Sequence, residues 1–314
     1  MKKEAVVLSV VVPVYNEAAG LRDFHASLVH SLQKLPIAYE ILYINDGSTD
    51  GSKQIIQQLT AQSSVRALYL SRNFGKEIAT TAGLQHVRGQ AALMLDADGQ
   101  HPVEKIGAFV RAWQKGAKVV VGVRRQNSGE GLVKRYGSKL FYATINRLAS
   151  AKLTPFATDF RLVDREVIDV FTTLTEHNRI TRGLIDWLGF ERTYIAFNAK
   201  SRKTDRAGYS FGKLCKLAMD SVISLSTSPL YIAAYTGAII IVLSLIIGGG
   251  MLANFVLHDP LGLQAHASAY GLVLILFLIG LILVFQGIIG LYLSHIHTET
   301  QNRPLYVLED GSDV

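Results

Sequence analysis

A single cysteine, Cys215, in a chain of 314 residues excludes an intramolecular disulfide and any multi-cysteine zinc or iron–sulfur site. Only seven prolines and no low-complexity tract argue against a disordered chain. Charge is scarce as well: 18% of residues, against the ~25% usual in soluble domains, while 49% are hydrophobic. The scarcity is local. No charged side chain occurs between Asp220 and Asp259, nor between Asp259 and Glu299. Two apolar runs, roughly Leu230–Leu257 and Tyr270–Leu293, fill these gaps. Each exceeds the ~20 residues that cross a ~30 Å hydrocarbon core. The expectation is a pair of C-terminal transmembrane helices.

Basic residues set the orientation. Residues 1–220 hold 31 of the 32 Lys and Arg and 20 of the 25 Asp and Glu. The loop His258–Ala269 has neither Lys nor Arg, whereas Arg202, Lys203, Arg206, Lys213 and Lys216 precede the first run. The positive-inside rule places the N-terminal part and the C-terminal tail in the cytoplasm. The start, Met1–Glu4 followed by a short apolar stretch and Pro13, has no cleavage site and reads as a strand rather than a signal peptide. A multi-pass protein of the inner or plasma membrane is expected. The net charge of +7 could also indicate nucleic acid, but the basic residues are mixed with acids and gather near the spans, so no nucleic-acid partner is expected.

Along the first ~125 residues, β-branched runs alternate with helical patterns. Val6–Val12, Tyr39–Asn45, Ala67–Ser71, Ala91–Asp96 and Lys118–Gly122 read as strands, and Gly20–Leu35, Gly51–Gln62, Lys76–Arg88 and Val103–Lys115 as helices. The strands are almost continuously apolar, as strands of a parallel sheet covered on both faces are. This predicts an α/β doubly wound domain whose ligand lies at the carboxyl ends of the strands. Polar clusters fall at those ends: Tyr15-Asn-Glu17, Asp46-Gly-Ser48, Asn73 and Asp96-Ala-Asp98. Further on, Leu132–Ala149 and Phe211–Leu225 combine helical apolar spacing with basic residues and read as interfacial helices. For the first, packing on the globular domain is an equal alternative.

Several standard sites are absent: no G-x-G-x-x-G follows the first strand, and no phosphate-cradling loop, H-E-x-x-H or G-x-S-x-G occurs. Asp96-Ala-Asp98 is different. If the strand runs through it, positions i and i+2 point the same way, and two hard carboxylates on one point suit Mg²⁺ or Mn²⁺. The alternative is a helix N-cap cluster. Asp46, at the tip of the second strand, reads as a ligand-binding carboxylate, and Asp50 as a helix cap.

Val11-Val-Pro-Val-Tyr-Asn-Glu17, Ile44-Asn-Asp-Gly-Ser-Thr-Asp50, Ser71-Arg-Asn-Phe-Gly75 and Leu95-Asp-Ala-Asp-Gly-Gln100 resemble family 2 inverting glycosyltransferases of the GT-A fold. With two C-terminal spans, the chain from about Leu8 to Pro304 resembles the polyprenyl-phosphate glycosyltransferases. That group includes dolichol-phosphate mannose synthase, bacterial undecaprenyl-phosphate glucosyltransferases and the aminoarabinose transferase of lipid A modification. The resemblance implies that Pro13, Tyr15, Glu17, Asp46 and Asp96 hold the nucleotide, and that Asp96, Asp98 and Gln100 surround a divalent ion, Mg²⁺ or Mn²⁺. It places Arg124 or Arg125 on a phosphate, and Asp98 and Asp159 at the reaction itself. Asp159 would position acceptor or metal rather than abstract a proton. Two departures stand out. Asn45 replaces an acid, and Gly208 replaces a lysine in the acceptor segment, where Arg202 and Tyr209-Ser-Phe211 match and Arg206 or Lys203 would supply the lost charge.

The expected activity is transfer of one sugar, with inversion, from a nucleoside-diphosphate sugar to undecaprenyl or another polyprenyl phosphate at the cytoplasmic membrane face. UDP as the carrier and a homotetramer rest on the resemblance alone. The competing readings are a small processive polysaccharide synthase, which lacks its Gln-x-x-Arg-Trp motif here, and a non-catalytic nucleotide-binding scaffold. The expected organisation is a nucleotide-sugar and metal part at 1–126, an acceptor-side part at 127–228, two spans within 229–295 and a cytoplasmic tail at 296–314.

Overall fold

A computed structural model describes residues 6–124, 157–177, 179–198 and 267–313, together with positions 239, 242 and 246. The chain divides into two compact units, Met1–Lys213 with Arg303–Val314, and Leu214–Asn302. The interfacial-helix expectations, Leu132–Ala149 and Phe211–Leu225, lie outside the described residues.

In the first unit, β1 (Leu8–Val14), α1 (Ala18–Leu32), β2 (Tyr39–Asn45), α2 (Ser52–Leu59), β3 (Val65–Tyr69), α3 (Lys76–His86), β4 (Ala91–Met94), α4 (Ile106–Gln114) and β5 (Val119–Arg124) follow the expected alternation. Then come β6 (Ala157–Asp164), α5 (Arg165–Thr172), α6 (Thr181–Trp187) and β7 (Arg192–Phe197). One sheet holds all seven strands in the order β3-β2-β1-β4-β6-β5-β7. The sheet is mixed: the five expected strands run parallel to one another, and β6, which was not expected, runs antiparallel to both β4 and β5.

Side-chain alternation explains the continuous apolar strands. Leu8, Val10, Val12 and Val14 of β1 pack in one core with Leu21 and Leu28 of α1 and Phe109 of α4. Val11 points to the other face, with Ala79 and Ala82 of α3 and Phe171 of α5. Both faces are covered, so both phases of the period-2 pattern are apolar.

The switch point lies between β1 and β4, where the strand order turns from β1-β2-β3 back to β4. There the two strands part. The last pair is Val11↔Met94, followed by one bond from the Leu95 N–H to the Val11 carbonyl at 3.2 Å. Pro13, two residues on, faces the same side beyond the end of β4, so its missing N–H removes no ladder bond from this central strand.

The outer edge of β3 is covered by the chain's own C-terminal segment. The Ser71 N–H donates to the Val307 carbonyl at 2.9 Å, the Glu309 N–H to the Tyr69 carbonyl at 2.7 Å, and the Ala67 N–H to Asp313 Oδ2 at 3.0 Å. Lys53–Glu309 at 2.6 Å and Tyr306 Oη–Gln85 Oε1 at 2.7 Å fix its flanks. A sheet edge left open would be a template for association; here it is closed.

In the second unit, α7 (Ala267–Thr300) is a continuous helix of 34 residues. Its large side chains Ile275, Ile282, Ile289 and Ile296, seven apart, are exposed. Several other side chains of α7, and nearly all of the first apolar run, lie outside the described residues. Over the residues that are described, no helix is long and apolar enough to cross a membrane, so the two spans are not established by the fold.

Candidate functional site

The loops after β1 and β2 are stitched to each other. Asn16, with a φ of 54°, accepts from the Thr49 N–H at 2.8 Å through Oδ1, and its own N–H donates to Ser48 Oγ at 3.1 Å. Asp50 accepts from the Ser52 N–H at 2.9 Å and from the Ala18 N–H at 3.1 Å, tying the first residues of α2 and α1 together. Gly47, with a φ of +61°, passes so close to Arg72 that a Cβ would lie 2.3 Å from its carbonyl carbon. That contact is the physical reason for glycine in Asp46-Gly-Ser48.

Asp46 is 3% exposed and faces inward. It accepts the backbone N–H of Phe74 at 2.8 Å and of Gly75 at 3.0 Å, so both its oxygens hold the loop that starts α3. Burial pushes its carboxyl above the usual value, more than those two amides and Arg72 pull it down. Its neighbour Asn45 is 1% exposed, and its Oδ1 has no hydrogen-bond partner among the described residues. An ionised acid at that position would add an unpaired buried charge beside Asp46, which accounts for the amide.

The two acids of Asp96-Ala-Asp98 lie beyond the end of the strand and not within it. β4 ends at Met94, so the alternation expected of an extended strand stops before Asp96. Asp98 Oδ1 instead accepts from the Gln100 N–H at 3.0 Å, closing its own turn. Asp96 turns to the antiparallel β6. The last register pair, Met94↔Arg161, brings the tip of β4 beside the start of β6, which carries Asp159. Between them lies Lys76, the first residue of α3. Its Nζ is 2.7 Å from Asp96 Oδ1, 2.9 Å from Asp96 Oδ2 and 2.7 Å from Asp159 Oδ2.

Burial works against charge on both partners, but the ion pair wins. Asp96 and Asp159 hold Lys76 protonated well above its usual range. Lys76, with Arg182 and Arg161, holds Asp159 below the usual carboxylate value. His101 is buried beside the three carboxylates and stacks on Phe160 with centroids 5.3 Å apart. Its Nδ1 accepts the Asp96 N–H at 3.2 Å, so the turn and the imidazole fix each other. Burial lowers its pKa, although the carboxylates resist.

A cleft at the β1/β4 switch point is lined by Pro13, Lys76, Thr80, Asp96, Asp159, Thr181 and Arg182, among others. Thus Pro13, Asp96 and Asp159 of the expected site are brought together. Tyr15 is exposed beside the β1 tip, and Arg124 is exposed at the end of β5. Arg125, Arg202 and Arg206 lie outside the described residues. Sequence reading missed Lys76, Thr181 and Arg182. The only signal for Lys76 was its place directly after Phe74-Gly75 at a strand tip.

Among the described residues no cluster of three His, Cys, Asp or Glu side chains is arranged to hold a metal ion. The donor chemistry nevertheless fits a hard cation. Asp96 lines the cleft and Asp98 follows two residues on, and Mg²⁺ or Mn²⁺ commonly binds through one or two protein carboxylates plus substrate phosphates.

Comparison with known proteins places this arrangement. Residues 9–171 match the sequence profile of glycosyl transferase family 2. An uncharacterised glycosyltransferase of Synechocystis sp. is 38% identical, covering 96% of this chain and 95% of its own. A prophage-derived bactoprenol glucosyl transferase of Shigella flexneri is 34% identical, covering 96% and 97%. Among solved structures, mannosyl-3-phosphoglycerate synthase from Rubrobacter xylanophilus superposes with a TM-score of 0.48 at 17% identity, covering 69% of this chain and 72% of that one.

Proposed function

This chain belongs to glycosyl transferase family 2, and from that premise we propose that it transfers one sugar from a nucleoside-diphosphate sugar to the phosphate of a polyprenyl lipid, with inversion, at the cytoplasmic face of a membrane. The observation that carries the acceptor is the near full-length match to a bactoprenol glucosyl transferase at 34% identity. UDP is the proposed donor carrier.

The residues of the cleft suit this chemistry. A lipid phosphate is already anionic at neutral pH and attacks without a general base. Asp159, held below the usual carboxylate range, is a poor proton acceptor at that pH and suits positioning instead. Asp96 and Asp98, with Gln100, would hold a divalent ion, which supplies neutralisation of the leaving diphosphate when bound. Pro13 leaves the mouth between β1 and β4 open, and Tyr15 offers an exposed ring beside it for the nucleoside. Arg182, which lines the cleft, and Arg124, at the end of β5, would meet phosphate charge, with Arg125, Arg202 and Arg206 as further candidates.

Membrane attachment has separate support. The sequence of α7 carries no charged residue before Glu299, and its Ile275, Ile282, Ile289 and Ile296, like Ile239, Val242 and Ile246, are more than half exposed. Exposed isoleucine at helical spacing is costly in water and costs nothing in lipid. The residues before Leu214 and those after Asn302 belong to one folded unit, so both lie on the same side of any bilayer. A chain that leaves and returns to one side crosses an even number of times, which agrees with a two-helix hairpin.

The test is direct. Full-length protein purified in detergent is incubated with undecaprenyl phosphate and a panel of UDP- and GDP-sugars, and the lipid is weighed by mass spectrometry. The expected product carries one added sugar from a UDP donor, of inverted anomeric configuration by NMR. A ladder of added sugars would establish a processive synthase instead, and no lipid product with any donor would refute the proposal.

A further inference from the structure

The ammonium of Lys76 has three hydrogens and meets three carboxylate oxygens, two on Asp96 and one on Asp159. Two of these contacts are hydrogen bonds, to Asp96 Oδ2 and Asp159 Oδ2, so both carboxylates are tied to the one ammonium. Asp96 and Asp159 both lie within ion-pair distance of one ammonium, and two ionised carboxylates so placed need a cation between them. Without substrate, Lys76 is that cation. A divalent ion arriving on Asp96 does the same electrostatic work and repels the ammonium. Lys76 is free to respond: its side chain is 42% exposed and reaches the cleft on a flexible four-carbon stem. Its base is fixed, because Asp46 pins the two residues before it.

We propose that Lys76 is a displaceable internal counter-ion: a metal-bound donor drives it off Asp96, and, still anchored on Asp159, it then binds the phosphate of the acceptor. This rests on the function proposed above and adds an order to it, the donor preparing the site for the acceptor.

Two measurements on the full-length protein in detergent decide the matter, using Lys76→Met, which keeps the stem, and Lys76→Arg, which keeps the charge. The first is Mn²⁺ binding without nucleotide, read from the EPR signal of free ion. Removing a competing cation should tighten Mn²⁺ binding about tenfold in Lys76→Met and leave it near wild type in Lys76→Arg. Damage to the fold would weaken binding, the opposite direction. The second is steady-state transfer, in which Lys76→Met should raise KM for undecaprenyl phosphate about tenfold and leave KM for the donor within about twofold. Equal or weaker Mn²⁺ binding in Lys76→Met, or no Mn²⁺ binding by either protein, overturns the displacement. Tighter binding with an unchanged acceptor KM overturns the acceptor role. Wild-type transfer activity judges the proposed function separately, because the Mn²⁺ titration uses neither substrate.

Discussion

Replacing Asp46 by asparagine separates two roles for a carboxylate that sequence reading assigned to the nucleotide. In the structure both oxygens are occupied by the amides of Phe74 and Gly75, at 2.8 and 3.0 Å. Asparagine keeps the shape but can accept only one of them, and its NH₂ then faces the other N–H. A lost hydrogen bond to a charged group costs roughly 1.5–3 kcal/mol. Part of this is returned, because burial already disfavours the ionised Asp46 and the amide carries no charge. The expected net loss is about 1–2 kcal/mol. The sign with pH follows from the raised pKa. Asp46 contributes most to stability below its unfolded value and less as pH rises through its folded value, so the deficit of the variant is greatest in acid. The chain has two tryptophans, Trp113 and Trp187, both in the first unit, so denaturation followed by fluorescence reports that unit alone. An unchanged midpoint together with a tenfold or greater loss of uridine-nucleotide affinity would show that Asp46 serves the ligand and not the loop.

Three further outcomes are expected. Asp186→Ala strands Arg161, a pair only 2% exposed on each side and 2.8 Å apart, and should cost about 3–5 kcal/mol in the same denaturation assay, more than the double replacement Arg161→Met with Asp186→Leu. A double variant as unstable as the single would contradict this. Truncation after Pro304 should speed amide exchange at Ala67, Tyr69 and Ser71, whose N–H groups bond the C-terminal segment, but not at Leu70, which bonds Asn45 at 2.9 Å. Uniform protection after truncation would mean that the segment does not close the β3 edge. Asp98→Asn should leave the protein folded while transfer falls by roughly a hundredfold or more, and near-normal transfer with Mg²⁺ or Mn²⁺ would remove Asp98 from the reaction.

The first five strands and four helices were legible within a few residues, because each carries its burial in local periodicity. β2, Tyr39–Asn45, is buried at every position but its first, and reads as a strand without help. β6 was not legible. Its first half, Ala157-Thr-Asp, is polar and only partly buried, so its apolar signal is short, and nothing in the sequence states its direction. Asp96-Ala-Asp98 lies beyond the strand and not in it, because β4 stops two residues sooner than the apolar run implies.

Sequence alone determined the alternation of strand and helix, the glycine at position 47, the charge-free C-terminal runs and the kinship carried by four motifs, all features fixed by neighbours a few residues apart. The fold decided which strand tips face each other. Lys76 meets a carboxylate 20 residues away and another 83 residues away, and the C-terminal segment reaches back 246 residues to close β3. Periodicity is a local property of the backbone, whereas register and strand direction are set by packing across the whole sheet. A salt bridge across an antiparallel pair is therefore written only in the tertiary structure.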